Sequence, residues 1–204
     1  MTPDGLQIRM ANETNNRKTF MPHRNIPELQ TRRLTLRALR ATDGALMHEL
    51  FINPDVVRFS RINPLTFAEA SAMLTRWLAP ENDHYWAIES NDGMGIGVIF
   101  LRTVDHTHRA AEIGYILGKP AWNQGIASEI VPAVIRFGFG QLGLCRIEAY
   151  VSTGNAASLR VLEKCGFARE GIRRADVFKN GRFEDSVLLS TLNEILINRL
   201  TETE

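Results

Sequence analysis

Cysteine is scarce in this chain, with only Cys145 and Cys165 among 204 residues. Their spacing makes neither a zinc-type ligand pattern nor a disulfide framework. Each has apolar neighbours, so both read as buried free thiols of a reducing compartment. The five histidines are scattered, and no His/Cys/Asp/Glu set has metal-ligand spacing, so no metal is expected. No apolar run approaches the roughly 18 residues of a membrane helix. Charge of one sign is also lacking. With 24 Lys and Arg against 23 Asp and Glu, no global field would draw nucleic acid or an acidic membrane. The stretch Met1–Asn25 has no hydrophobic segment of the secretory kind. These absences point to a cytoplasmic globular protein without nucleic-acid or membrane partners, monomeric or homodimeric.

What is present suits one folded unit. A hydrophobic fraction of 44% and a charged fraction of 23% are ordinary for a globular domain of this length. Residues 1–30 read as a flexible extension and 31–204 as a single domain. Leu34–Leu39 alternates as a half-buried strand does. Thr42-Asp43 reads as the cap of a helix bearing Leu46, Leu50 and Phe51, ended by Asn53-Pro54. Thr66 with Glu69 forms a capping box, and Pro80 closes that second helix. Strands over 85–89 and 96–104 flank the turn Ser90-Asn91-Asp92-Gly93. A strand over 110–117, a long helix from Ile126 containing Pro132, a strand over 145–152 and a helix over 155–164 follow. Cys165-Gly166-Phe167 stops that helix into a further strand, and Asn180-Gly181 makes a closing hairpin. The order predicts an α+β sandwich with helices on both sheet faces.

The run Trp122-Asn123-Gln124-Gly125-Ile126-Ala127-Ser128 lies at the junction of the strand over 110–117 with the long helix. Glycine there permits a sharp turn and close ligand approach. The free N–H groups of the first helical turn, with the positive end of its dipole, then form a phosphate site. No lysine follows the glycine, and no glycine-rich trio is present. Neither the triphosphate loop nor the dinucleotide fingerprint is met. What remains is a pyrophosphate cradle of backbone amides, Gln124 to Ser128, unless Gly125 only marks a helix entry.

About thirty residues on stands Asn155-Ala156-Ala157-Ser158-Leu159-Arg160-Val161-Leu162-Glu163-Lys164-Cys165-Gly166-Phe167. With both blocks in this order and at this spacing, the chain resembles the GNAT family of acetyl-CoA-dependent N-acetyltransferases. It looks most like the RimJ/RimL-like branch of ribosomal-protein N-terminal acetyltransferases. In the family's phosphate loop, [QR]-x-x-G-x-[GA], Trp122 takes the first place, and Gly125 and Ala127 the small ones. The resemblance implies a mixed, mostly antiparallel sheet splayed near its middle, with acetyl-CoA as cosubstrate and direct attack by an amine acceptor. It implies that the pantetheine arm pairs like a strand with 112–117, so that N–H groups near Ile116 and Leu117 bond the thioester oxygen.

Asn155 is a helix cap that the resemblance also assigns to pantetheine. The tyrosine that many members use to protonate the thiolate is absent, its place being Leu162. The branch uses a serine instead, matching Ser158, which otherwise reads as a structural helix serine. Glu112 sits where several members carry a base, or is an ion-pair partner of Arg109 or Arg102. The branch's own glutamate falls at Val177, beside Asp176, whose side chain would face the other way. Arg160 and Lys164, one turn apart, meet the 3′-phosphate of CoA or form a solvated face. Deprotonating an α-amine near pH 7 costs roughly 1 kcal/mol, against roughly 4.6 kcal/mol for a lysine ε-amine. That difference favours a protein or peptide N-terminal α-amine as acceptor. The rivals are a small-molecule amine such as a polyamine, an amino acid or an antibiotic, and a CoA sensor without turnover.

Overall fold

The computed structural model describes residues 26–79 and 83–202. The expected extension over 1–25 and the helix stop at Pro80 lie outside the described residues. One eight-stranded sheet runs through the molecule in the order β1-β2-β3-β4-β5-β6-β8-β7. Its strands are β1 (Leu29–Gln30), β2 (Leu34–Ala38), β3 (His84–Ser90), β4 (Gly95–Asp105), β5 (Ala110–Leu117), β6 (Arg146–Ser152), β7 (Ala168–Lys179) and β8 (Arg182–Leu192). All neighbours are antiparallel except β5 and β6.

Helices cover both faces, because strand residues of both parities are apolar. On one face α1 (Gly44–Ile52), α2 (Pro54–Val57) and α3 (Phe67–Leu78) pack on Tyr85, Ala87 and Val98. On the other, α4 (Ile126–Gly140) and α5 (Ala156–Lys164) pack on Trp86, Ile88, Ile113 and Ile147. Thr66 accepts from Glu69 N at 3.3 Å while Glu69 Oε2 accepts from Thr66 N at 2.7 Å, the reciprocal box expected there.

The feature that matters most is where β5 and β6 part. They pair only over Ala110↔Arg146, Ala111↔Ile147 and Glu112↔Glu148. Beyond Glu112 the sheet is splayed, while β4 still follows β5 as far as Gly97↔Leu117. One glycine within β5 and one just after it serve its pairing with β4. A Cβ on Gly114 would lie 2.3 Å from Cζ of Phe100, so this glycine makes room for a ring on β4. Gly118 N donates to Ile96 O at 2.9 Å and extends the ladder with β4.

Three local readings are corrected. Leu29–Gln30 pair with Leu36 and Thr35, and Trp86 Nε1 donates to Pro27 O at 2.8 Å, so residues 26–30 belong to the folded unit. Two residues are too few to show alternation. Second, Asp43 does not cap α1 with its side chain. Its carboxylate instead takes both ends of the buried Arg37 guanidinium at 2.8 Å and Arg40 N at 2.7 Å. Residues Ala41–Asp43 form a 3₁₀ turn before the helix. Third, α6 (Glu194–Thr201) was not anticipated; Asn193 caps it by accepting from Leu196 N at 3.2 Å.

Arg37 also reaches Glu89 Oε1 at 2.6 Å, which ties β2, β3 and the start of α1 together. Burial opposes the Asp43 charge, but Arg37 and Arg40 overcome it and hold its carboxyl below the usual carboxylate range. Asp43→Asn leaves a buried guanidinium short of its partner and should cost about 3–5 kcal/mol at neutral pH. A lowered folded pKa contributes stability that is present above an unfolded Asp value of about 3.9 and lost as pH falls through the folded value. Denaturant melts of both proteins from neutral to acid pH should therefore converge only below that range. A constant gap across pH would contradict the ionic role of Asp43.

Candidate active site

The loop from β5 to α4 is shaped by two left-handed residues, Asn123 at φ 58° and Gly125 at φ 73°. Asparagine and glycine are the residue types that enter this region most readily. Side chains brace the loop from outside. Trp122 Nε1 donates to Leu117 O at 2.8 Å, and Gln124 Nε2 donates to Pro120 O at 2.5 Å. Arg33 donates from Nη2 to Gln124 O at 3.0 Å and from Nε to Glu129 Oε2 at 2.7 Å, clamping the loop to the first turns of α4. No side chain caps that helix, so its first-turn N–H groups are left for a ligand. Its 15 residues carry a full dipole with the positive end there.

Beside the loop lies a cavity of about 520 Å³. Ile116, Leu117, Trp122, Asn123, Gly125, Ile126, Ala127, Ser128, Asn155, Ser158 and Arg160 all line it. Gln124, turned onto its own loop, does not, and Glu112 lies elsewhere. Arg58, Lys119, Arg160 and Lys164 bring four cations to the wall, against one carboxylate, Asp55, among the described residues. Asp55 pairs with Lys119 at 2.6 Å, which joins α2 to the phosphate loop's side of the cavity. Charge as well as backbone therefore suits an anion at this wall. Arg58 and Lys119 come from segments without a motif, which is why sequence reading missed them.

The splay exposes one edge of β5, and strand alternation says which groups face it. Gly118 N bonds β4, so Ile116 and Gly114 present their amides to β4 as well. Leu117 and Tyr115 present theirs to the gap. At the other end of β5, Arg109 O accepts from Cys145 N at 2.9 Å, which confirms the same parity. Ile116 is thus corrected as a donor: it lines the cavity, but its N–H belongs to the ladder.

Across the gap, Asn155 Oδ1 accepts from Ser158 N at 3.1 Å and caps α5. Ser158 Oγ lies 3.0 Å from the hydroxyl of Tyr115, which comes from β5. Burial pushes the Tyr115 phenol up from its ordinary value, so it stays protonated. Tyr115 was missed because the expected tyrosine was sought on α5. The signal was its odd parity on β5, opposite to Glu112, which turns it towards α5.

A second cavity of about 210 Å³ adjoins the first and shares Phe59, Ser60, Tyr115, Ile116, Asn155 and Ser158 with it. Glu112, Arg102, Arg61 and Tyr150 line the rest, with aromatic rings of Phe51, Trp77 and Phe100. Glu112 Oε2 accepts from Arg102 Nη2 at 2.6 Å, one of the two ion pairs considered for it. Asp176 lines neither cavity; it is buried against Arg61 at 2.7 Å and Arg173 at 3.2 Å. One cleft thus has an anion-binding end, a splayed strand edge, two adjacent hydroxyls and a smaller chamber beyond them.

Residues 33–168 match the family model of the acetyltransferase (GNAT) domain. The chain belongs to the GNAT family. It is 36% identical over 169 residues to an uncharacterized N-acetyltransferase, YoaA, of Bacillus subtilis, covering 80% of this chain and 96% of that protein. A putative ribosomal N-acetyltransferase of the same organism, YdaF, is 36% identical over 101 residues, 50% of this chain and 55% of that one. The structure of a spermidine N-acetyltransferase from Vibrio cholerae, in complex with CoA and spermine, superposes with a TM-score of 0.73 at 26% identity. It covers 81% of this chain and 98% of that one. This GNAT protein is an acetyl-CoA-dependent N-acetyltransferase, and the loop, its dipole and the four cations fit a cosubstrate that carries a pyrophosphate and a further phosphate.

Gly125 offers the sharpest test of the cradle. A Cβ there would have its nearest neighbour, Arg33 Nη2, at 3.9 Å, so crowding is not the obstacle. The positive φ is, at about 1–2 kcal/mol for an L residue. Gly125→Val should weaken acetyl-CoA tenfold or more, roughly 1.4 kcal/mol, and the same strain should lower the melting temperature by roughly 2–8 °C. Calorimetry showing full affinity in the folded variant would place the pyrophosphate elsewhere.

Proposed function

We propose that the protein acetylates a single primary amine, most readily the α-amine of a protein or peptide N-terminus, in the manner of the RimJ/RimL-like branch. The observation that carries this reading is the charge of the smaller chamber. Its lining holds two guanidinium groups and one carboxylate, and that carboxylate already pairs with Arg102. A polyamine carries several positive charges and would need several carboxylates to replace its water. An α-amine has a pKa of about 7.7–8.0 and enters neutral at small cost. Trp122 at the head of the phosphate loop, Ser158 in place of a helix tyrosine and the likeness to YdaF support the same branch. The opposing reading, a polyamine acceptor, draws on the likeness to the Vibrio cholerae spermidine enzyme. A protein using acetyl-CoA on nascent or mature N-termini would work in the cytoplasm, as monomer or homodimer.

In this reading the amine enters through the smaller chamber and the thioester lies along β5 beside Leu117. The Leu117 N–H faces the gap and polarises the carbonyl, a contribution on the order of 3 kcal/mol for one preorganised donor. Glu112 receives the proton of the incoming ammonium, directly or through water, and Ser158 protonates the departing thiolate. No covalent enzyme intermediate is needed. Burial pushes the Cys165 thiol up from its ordinary value, which makes it a poor nucleophile.

Acetyl transfer to peptides beginning Ser, Ala or Thr, measured beside spermidine and free amino acids, decides the acceptor. Peptides should exceed spermidine at least tenfold in kcat/KM; the reverse order would establish the polyamine reading. With the preferred amine, Glu112→Gln should lower kcat/KM severalfold, up to about tenfold for an α-amine near pH 7, which is the cost of deprotonating it there. The deficit should shrink at high pH, where the amine arrives already neutral. Identical profiles for the two proteins would remove Glu112 from proton transfer.

A further inference from the structure

The hydroxyls of Tyr115 and Ser158 stand 3.0 Å apart, one from β5 and one from α5, and both residues line both cavities. They occupy the boundary between the anion-binding part of the cleft and the chamber that holds Glu112. The place on α5 from which a tyrosine would reach the sulfur is filled by Leu162, which is 2% exposed and belongs to the core. A phenol is nonetheless present at the junction, delivered from the opposite wall.

We propose that Tyr115 is a catalytic residue, and that with Ser158 it forms a two-hydroxyl relay carrying a proton from the amine nitrogen to the thiolate sulfur. The proposal rests on the reading that amine and thioester meet at this junction. Chemistry requires two proton movements. The first, from ammonium to neutral amine, belongs to Glu112. The second arises when the nitrogen lone pair forms the N–C bond and the C–S bond breaks with its electron pair on sulfur. The surplus N–H proton passes to Tyr115 Oη as Tyr115 gives its own to Ser158 Oγ and Ser158 gives its own to sulfur. Both hydroxyls end as they began, one proton has moved from nitrogen to sulfur, and nothing is oxidised or reduced.

Geometry suits this order. Either oxygen can donate across the 3.0 Å contact, and a hydroxyl is both donor and acceptor. Burial disfavours the phenolate, which keeps the Tyr115 proton in place between turnovers. Glu112 lies on the opposite face of β5 from Tyr115, since odd and even residues of a strand point apart. It is therefore poorly placed to carry the second proton around to α5.

The test compares Tyr115→Phe, Ser158→Ala and the double variant, using acetyl-CoA and whichever amine of the peptide, spermidine and amino-acid panel wild type accepts. Tyr115→Phe should lower kcat on the order of 10²-fold with calorimetric acetyl-CoA affinity unchanged. The double variant should fall no further than the worse single one, because the two act as a unit. The solvent-deuterium proton inventory should be curved in wild type and linear in Tyr115→Phe. A readout free of turnover is the ultraviolet titration of Tyr115, taken as the difference from Tyr115→Phe. It should move upward in Ser158→Ala, where the phenolate loses a donor. Wild-type kcat in Tyr115→Phe, fully additive losses, or an unmoved titration would each overturn the relay alone. Silence of wild type towards every amine would overturn the functional reading and the relay with it.

Discussion

Everything in the cleft depends on how briefly β5 and β6 pair. Three residue pairs, Ala110↔Arg146 to Glu112↔Glu148, hold the two halves of the sheet together. Had the ladder continued to Leu117, the strand's outward amides would be satisfied by β6 and there would be no edge for a ligand. Had it been absent, the two halves would lose the ladder that joins them. The divergence opens between β5 and the start of α5, where Tyr115 and Ser158 face each other. Core residues on both sides of the junction, Ile113 and Ala149 among them, keep the opening from collapsing.

The energetic logic of the phosphate loop is preorganisation. Asn123 and Gly125 hold left-handed backbone in the protein itself, and Arg33 and Trp122 brace the loop from outside. Binding then orders little that was not already ordered, which is the main way a site converts contacts into affinity. Glu129 would seem misplaced one turn into an anion-binding helix. Its carboxylate is engaged by Thr31 Oγ1 at 2.8 Å, Arg33 N at 2.8 Å and Arg33 Nε at 2.7 Å, so its charge is spent on the brace. A comparable anchor lies at the chamber: the buried Lys179 ammonium donates to the carbonyls of Val57, Arg58 and Ser60 at 2.5, 3.2 and 3.0 Å. These bonds fix the segment that brings Arg58 to one cavity and Phe59 and Ser60 to both.

Features set by local chemistry were legible beforehand. The Thr66/Glu69 box, the glycine at the entry to α4 and the Asn155 cap are each specified within four residues, and the structure shows each where the pattern put it. Features set by distant partners were not. Asp43 looks like a cap until Arg37 is seen to hold it, and nothing near Gly114 in the sequence shows that Phe100 lies over it. The short β1 and the helix α2 carry too few residues for a period to show. The lining of the cleft followed the same division. The loop and the α5 cap were found by motif, whereas Arg58, Lys119 and Tyr115 required knowing which segments cross the cleft.

A cleft rich in cations poses a problem for an enzyme whose other substrate is an amine, and the same charges answer it. Four cations line the larger cavity, and two guanidinium groups line the smaller. The four suit the phosphates of the cosubstrate, whereas an ammonium ion brought beside the two is disfavoured relative to the neutral amine, since nearby like charge shifts an equilibrium towards the uncharged form. For an α-amine with a pKa of about 7.7–8.0, one unit of such displacement leaves about half or more of it neutral near pH 7. The site therefore needs no strongly basic carboxylate to prepare its nucleophile, and the proposed base, Glu112, can keep its pair with Arg102. The demand for proton transfer then moves to the later half of the reaction, at the sulfur, where the thiolate would otherwise depart unprotonated. In the proposed relay, the half-buried hydroxyls of Tyr115 and Ser158 act there.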